Sequence, residues 1–184
     1  MLGWKQKRRY MRFYNSTAHI YDIRYAEEQL LKIGVTLESL KLEKGSSILD
    51  LGCGTCLLTS KIQSMSGTIV CLDVSKSMLR EAKSHSKNLP KAHLVLADAD
   101  NTPFRKGHFD AVFAITLLQN MPLPYITLEE MKRVSKHGAQ IAVTGLKKSF
   151  TNSSFLKLLE EANLKVEVLR MDEKLKCYVA KCKA

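Results

Sequence analysis

A chain of 184 residues is expected to bury about 70% of its extended surface, so a core can form without disulfide or metal staples and a staple-dependent miniprotein is excluded. Lysine and arginine outnumber aspartate and glutamate 29 to 18, and the formal charge of +11 favours a polyanionic partner. No apolar run approaches the ~20 residues that a bilayer-spanning helix needs, and five cysteines without a secretion signal are expected to stay reduced in the cytoplasm.

The amino terminus carries Lys5, Lys7, Arg8, Arg9 and Arg12 and lacks the apolar centre of a signal peptide. Residues 1–40 read as a basic segment followed by a helix, and 45–184 as a sheet core, within a single domain. Over 16–33, Ala18, Tyr21, Tyr25, Leu30 and Ile33 share roughly one helical face. Strands are expected at 47–51, 68–73, 93–97, 109–115, 140–145, 165–171 and 175–182. Helices are expected at 56–65, 75–87, 123–135 and 153–163, with Ser75 as an N-cap and Thr127 with Glu130 as a capping box. Such alternation gives an α/β fold, a seven-stranded, mostly parallel sheet with helices on both faces. Asp172-Glu173-Lys174 is too short a connection for a parallel crossover, so the last two strands should pair as an antiparallel hairpin.

The most informative stretch is Ile48-Leu49-Asp50-Leu51-Gly52-Cys53-Gly54-Thr55. Glycines after a strand let the backbone turn tightly and approach a ligand, because they tolerate positive φ and carry no Cβ. A carboxylate just before them repels a pyrophosphate and attracts a cationic amine or sulfonium. Leu57 stands where a dinucleotide fingerprint needs glycine or alanine. The apolar run Thr68-Ile69-Val70-Cys71-Leu72 then ends at Asp73, close to the ~20-residue offset at which an acid meets ribose hydroxyls. A further run, His93 to Ala97, ends at Asp98-Ala99. Acids at the carboxyl ends of successive apolar strands lie where open α/β sheets bind ligands, although singly each reads as a strand-end or helix-capping residue.

These motifs resemble the class I S-adenosylmethionine-dependent methyltransferases. The first motif of that family reads much like residues 48–55, with Cys56 where a third glycine often stands. Asp98-Ala99, Thr102-Pro103-Phe104 and Phe109-Asp110-Ala111-Val112 are similar to its later signature, with Thr102 in a leucine position. The resemblance covers almost the whole chain from Tyr14 and implies S-adenosyl-L-methionine as cofactor and a terminal antiparallel hairpin. It implies a cofactor site built from Asp50, Gly52, Cys53, Gly54, Asp73, Val74, Asp98, Ala99, Ala114 and Tyr21, with Asp73 on the ribose and Asp98 on the adenine amino group. The segment Tyr14 to Asp22 is similar to one that folds over the cofactor in quinone-type and related small-molecule methyltransferases, with Asn15 in an aspartate position. Phe104 and Phe109 read as core packing, and Asp110 as a structural residue.

No catalytic residue is singled out, because a sulfonium methyl needs mainly orientation and exclusion of water. Tyr21, Gln119 and Asn120 are the acceptor-side candidates, any base among them assisting proton removal. Cys53-Gly54-Thr55-Cys56 is formally a C-x-x-C redox motif, but a redox pair leaves Asp50 and Asp73 without a role. Cys177 and Cys182 fall on opposite faces of a strand, the histidines are scattered, and no metal is expected. The charge, the aromatic residues interleaved with it near the amino terminus and the short stretch from Gly145 to Ser154 point to a large acceptor. RNA or a ribosomal, translation-associated component leads, with a helper subunit as a candidate partner. The alternatives are a small-molecule methyltransferase and a non-catalytic RNA-binding protein that keeps the fold. Nothing points to a DNA or membrane partner.

Overall fold

Side chains along the central strands alternate between two apolar surfaces, which dictates the layered arrangement seen in a computed structural model describing residues 2–85 and 89–184. The strands are β1 (Ser46–Leu51), β2 (Ser66–Asp73), β3 (Ala92–Leu96), β4 (Phe109–Ala114), β5 (Ser135–Leu146), β6 (Lys165–Arg170) and β7 (Cys177–Lys183). They form a seven-stranded sheet in the order β3-β2-β1-β4-β5-β7-β6. All pairs are parallel except those of β7 with β5 and with β6, so the expected terminal hairpin is present.

The helices are α1 (Leu2–Thr17), α2 (Tyr21–Glu38), α3 (Leu57–Ile62), α4 (Lys76–His85), α5 (Pro124–Val134) and α6 (Asn152–Glu161). Leu49, Leu51, Val112, Ile141 and Val143 pack with Leu128, Met131 and Val134 of α5 and with Phe155 and Leu159 of α6. Their neighbours Ile48, Ala111, Phe113 and Ala142 pack with Ile33 of α2, Leu58 and Ile62 of α3 and Ala82 of α4. Period-two alternation thus covers both faces. Phe109 is fully buried and meets Phe104 edge to face at 5.2 Å. Cys177 and Cys182 belong to separate apolar clusters, in keeping with the opposite faces expected for them.

The ends of several elements depart from expectation. The helix expected at 16–33 is two helices: α1 already occupies the basic segment, and a 3-10 turn at Ala18–Ile20 separates it from α2. The helix expected at 75–87 is described over Lys76–His85, and positions 86 and 87 lie outside the described residues. Thr127 and Glu130 do not cap α5, which begins at Pro124 after Leu123. Thr127 Oγ1 instead donates to Asp100, and Glu130 accepts from the Thr102 amide and hydroxyl at 2.7 and 2.6 Å. Tertiary partners override the local motif, and both bonds fasten the loop after β3. Strand β5 starts earlier than expected because Ser135 pairs with Phe109 before a register shift. Gly138, at φ +75°, allows that irregularity.

Candidate active site

The cleft lies above the carboxyl ends of β2, β1 and β4, where the strand order reverses and open α/β sheets bind ligands. Its floor is the loop after β1. Both Gly52 and Cys53 amides donate to the Leu72 carbonyl, at 2.8 and 3.0 Å, folding the loop across the end of β2. Gly52 and Gly54 have φ of +75° and +54°, a region that costs a residue with a Cβ. Cys56 takes the same left-handed conformation at φ +67°, so the loop keeps its turn without a third glycine.

Asp73 ties this loop to the next one. Its Oδ2 accepts from the Gly54 amide at 2.9 Å and its Oδ1 from the Ser75 amide at 2.8 Å. A carboxylate oxygen has a second lone pair, so each retains capacity for a ligand hydroxyl. Ser75 caps α4, its hydroxyl receiving the Met78 amide. Asn15 of α1 adds its side-chain oxygen to the same helix start, accepting from the Ser75 hydroxyl at 2.7 Å and the Ser77 amide at 3.1 Å. The amide thus secures α1 over the cleft.

The roof is α1 itself. Lys7, Tyr10, Met11 and Tyr14 recur at helical spacing and line the cleft, with Gly52, Gly54, Asp73, Val74, Asp98, Ala99 and Tyr21 opposite or beside them. Lys7 Nζ lies 2.7 Å from both Asp98 oxygens and 2.5 Å from Asp100, so the acid assigned to adenine also anchors the roof. Ile115, Leu117 and Met121 make the far wall apolar. A second, adjoining cavity is lined by Asp50, Cys53 and Gln29, and shares Tyr21, Gly52, Gly54 and Ile115 with the first.

Not every expected residue reaches the cleft. Ala114 is fully buried and lines neither cavity, because the side chain at the last position of β4 faces the α5–α6 core. Ile115, Thr116 and Leu117 follow it and line the cleft instead. Gln119 turns back, its side-chain nitrogen donating to the Thr116 carbonyl at 2.6 Å. Asn120 does line the cleft, and donates to the Tyr14 hydroxyl at 3.0 Å. Burial raises the phenols of Tyr14 and Tyr21 above their ordinary pKa, with Asp73 adding to the effect. Tyr21 is therefore a neutral hydrogen-bonding group near pH 7 in the ligand-free cleft.

Sequence reasoning missed Lys32 and Thr116. Thr116 has φ +63°, and its amide donates to the Thr144 hydroxyl at 2.7 Å. Its own hydroxyl donates to Gln29 at 3.0 Å and accepts from Lys32 Nζ at 3.0 Å. The Lys32 side chain is 1% exposed, and its ammonium lies 3.3 Å from Glu28. A lysine on a helix normally reads as solvated, but the positive φ after β4 marks a site-building turn.

Asp50 is buried, accepting from Thr59 Oγ1 at 3.1 Å. Burial lifts its carboxyl well above the usual range, Cys71 and Asp73 adding to the rise and the Thr59 bond opposing it. The folded state then holds a proton that the unfolded chain releases, so stability should fall as pH rises from about 4 through the raised pKa. Asp73 is shifted the same way, mainly by burial. Asp50→Asn should therefore flatten the decline partly, and urea midpoints across pH, compared between the two proteins, would reveal it. An unchanged profile would contradict the burial argument.

This acid-lined, glycine-floored cleft at the switch point has the arrangement of the class I S-adenosylmethionine-dependent methyltransferase fold. A profile of the methyltransferase domain family matches residues 49–143, and the chain belongs to that family. The demethylmenaquinone methyltransferase of Staphylococcus carnosus strain TM300 is 38% identical over 105 residues, 55% of this chain and 44% of that protein. The match thus spans less than half the length of this relative. A methyltransferase structure from Aquifex aeolicus shares the fold with a TM-score of 0.80 at 19% identity, over 92% of this chain and 97% of the other. A chain in the Haloferax volcanii complex between the Trm112 methyltransferase activator and a methyltransferase does so with a TM-score of 0.77 at 16% identity, over 93% and 97%. Among the described residues no helix is long and apolar enough to cross a membrane, and no group of histidines, cysteines and acids could hold a metal ion.

Proposed function

We propose that the protein methylates a small, largely apolar acceptor lying under α1 against Tyr14, Leu117, Asn120 and Met121, with S-adenosylmethionine along the Asp73–Asp98 side of the same cavity and into the adjoining one. The observation that carries this reading is the roof. The short stretch after β5 was expected to leave the cleft bare for a macromolecule, yet α1 covers it with Tyr10, Met11 and Tyr14 facing Leu117 and Met121. Roofed apolar linings with a few polar groups, open at one side, suit small ligands. The relative named demethylmenaquinone methyltransferase supports the same choice over RNA or a ribosomal component. A helper subunit, suggested by the Haloferax volcanii complex, is not needed to complete this roof. The five free thiols suit a reducing compartment such as the cytoplasm.

In this reading Asp73 accepts from the ribose hydroxyls, while Asp98, Ala99 and Val74 border the adenine. Asp50, Cys53 and the Gly52–Gly54 backbone border the methionyl end, and Tyr21 spans the junction. The cofactor supplies an electrophilic methyl on a sulfonium. The chain's part is to orient the acceptor for in-line attack and exclude water, and orientation alone can be worth about 7–11 kcal/mol. Asn120 and the Tyr14 hydroxyl, bonded to each other, offer the acceptor polar contacts. As the bond from the acceptor to the methyl forms, the bond from sulfur to that methyl breaks and leaves S-adenosylhomocysteine, and the acceptor proton passes to water at the mouth of the cleft.

The test is transfer of tritium from labelled cofactor into fractionated cell extract. Label is expected in the fraction soluble in organic solvent. Label confined to RNA or ribosomal protein would reverse the assignment.

A further inference from the structure

We infer that the outward face of α1 docks on an anionic lipid bilayer, which brings the roof of the cleft to the phase in which an apolar acceptor dissolves. The inference deepens the reading of a small apolar acceptor and rests on it for its purpose. The helix has two faces of the same spacing. Residues 7, 10, 11 and 14 line the cleft, whereas Lys5, Arg8, Arg9 and Arg12, at i, i+3, i+4 and i+7, are exposed. None of these four cations has an acidic partner among the described residues.

Exposed aromatic side chains flank this basic arc: Trp4 is 49% and Phe13 46% exposed. The surface continues beyond the helix. Gly3 lies so close to the next loop that a Cβ there would stand 3.3 Å from the Pro122 ring, and Leu123, Tyr125 and Ile126 beyond it are exposed. Cations with interfacial aromatic residues on a helix lying along a surface match an anionic headgroup layer. A bilayer is favoured over RNA because the same helix roofs an apolar cleft, so docking and acceptor entry share one element. The absence of a spanning run, from which no membrane partner was expected, says nothing against a helix lying on the surface.

The full chain can be tested with sedimented vesicles of phosphatidylcholine, with and without phosphatidylglycerol. Trp4 is the sole tryptophan, so its emission reports the face directly. Binding and a blue shift are expected with the anionic vesicles only. Replacing Lys5, Arg8, Arg9 and Arg12 together by Gln should weaken binding by about tenfold or more, with affinity for S-adenosylhomocysteine unchanged, which also shows that the roof still folds. Equal binding by the variant, no blue shift, or tighter binding of a single-stranded RNA probe would overturn the inference. Methylation of a small acceptor without vesicle binding would sink the docking face and leave the function standing. Vesicle binding with label only in RNA would do the reverse.

Discussion

Asp73→Ala is expected to weaken binding of S-adenosylhomocysteine about 10- to 150-fold, since a hydrogen bond to a charged group is worth about 1.5–3 kcal/mol. The loss has two origins. Ribose hydroxyls lose their acceptor, and the Gly54 and Ser75 amides lose the carboxylate that now receives both, so the loop after β1 and the start of α4 are no longer tied together. Calorimetry with the product measures the effect without turnover. Asp73→Asn keeps the shape but only one accepting oxygen, and should fall between the parent and the alanine variant. Unchanged affinity in the alanine variant would remove Asp73 from the site.

Lys32→Ala should cost about 2–5 kcal/mol of stability, the range for truncating a long buried side chain. The side chain is 1% exposed, and its ammonium bridges Glu28 and the Thr116 hydroxyl. Lys32→Met keeps most of the volume and should cost less, because Thr116 still donates to Gln29 and Glu28 still pairs with Lys176 at 2.9 Å. Urea denaturation separates the two variants. Equal loss in both would assign the effect to the charge and not to the buried stem.

The strand ends were legible because their chemistry is local. An apolar run, an acid and a glycine loop each occupy a few adjacent residues, so Asp50, Asp73 and Asp98 could be placed before any fold was known. The roof was legible only at its Tyr14 end, where the stretch to Asp22 is similar to a segment that folds over the cofactor, and the rest was hidden for a physical reason. Its inward face reads Lys7, Tyr10, Met11, Tyr14, and a lysine in that row, amid outward-facing cations, hides the helical apolar stripe. Lys7 faces inward only because Asp98 and Asp100, distant in sequence, neutralise it. The capping box at Thr127 and Glu130 failed similarly, its side chains drawn away by Asp100 and Thr102. Ala114 was placed one residue too early: the side chain ending β4 belongs to the core, and the wall begins at Ile115.

The roof also bears on the choice of acceptor, for which the demethylmenaquinone methyltransferase relative favours the small-molecule alternative. With α1 over the cleft, its basic residues divide into Lys7, which lines the cleft, and an exposed outward arc of Lys5, Arg8, Arg9 and Arg12. Positive charge near a cleft says little about the acceptor until its direction is known.

The most direct measurement of the central claim uses purified protein and methyl-labelled cofactor, with an organic-solvent extract of cells and a single-stranded RNA offered together. The account predicts label on a small compound of the extract, lost in Asp73→Ala. Label on the RNA alone would contradict it.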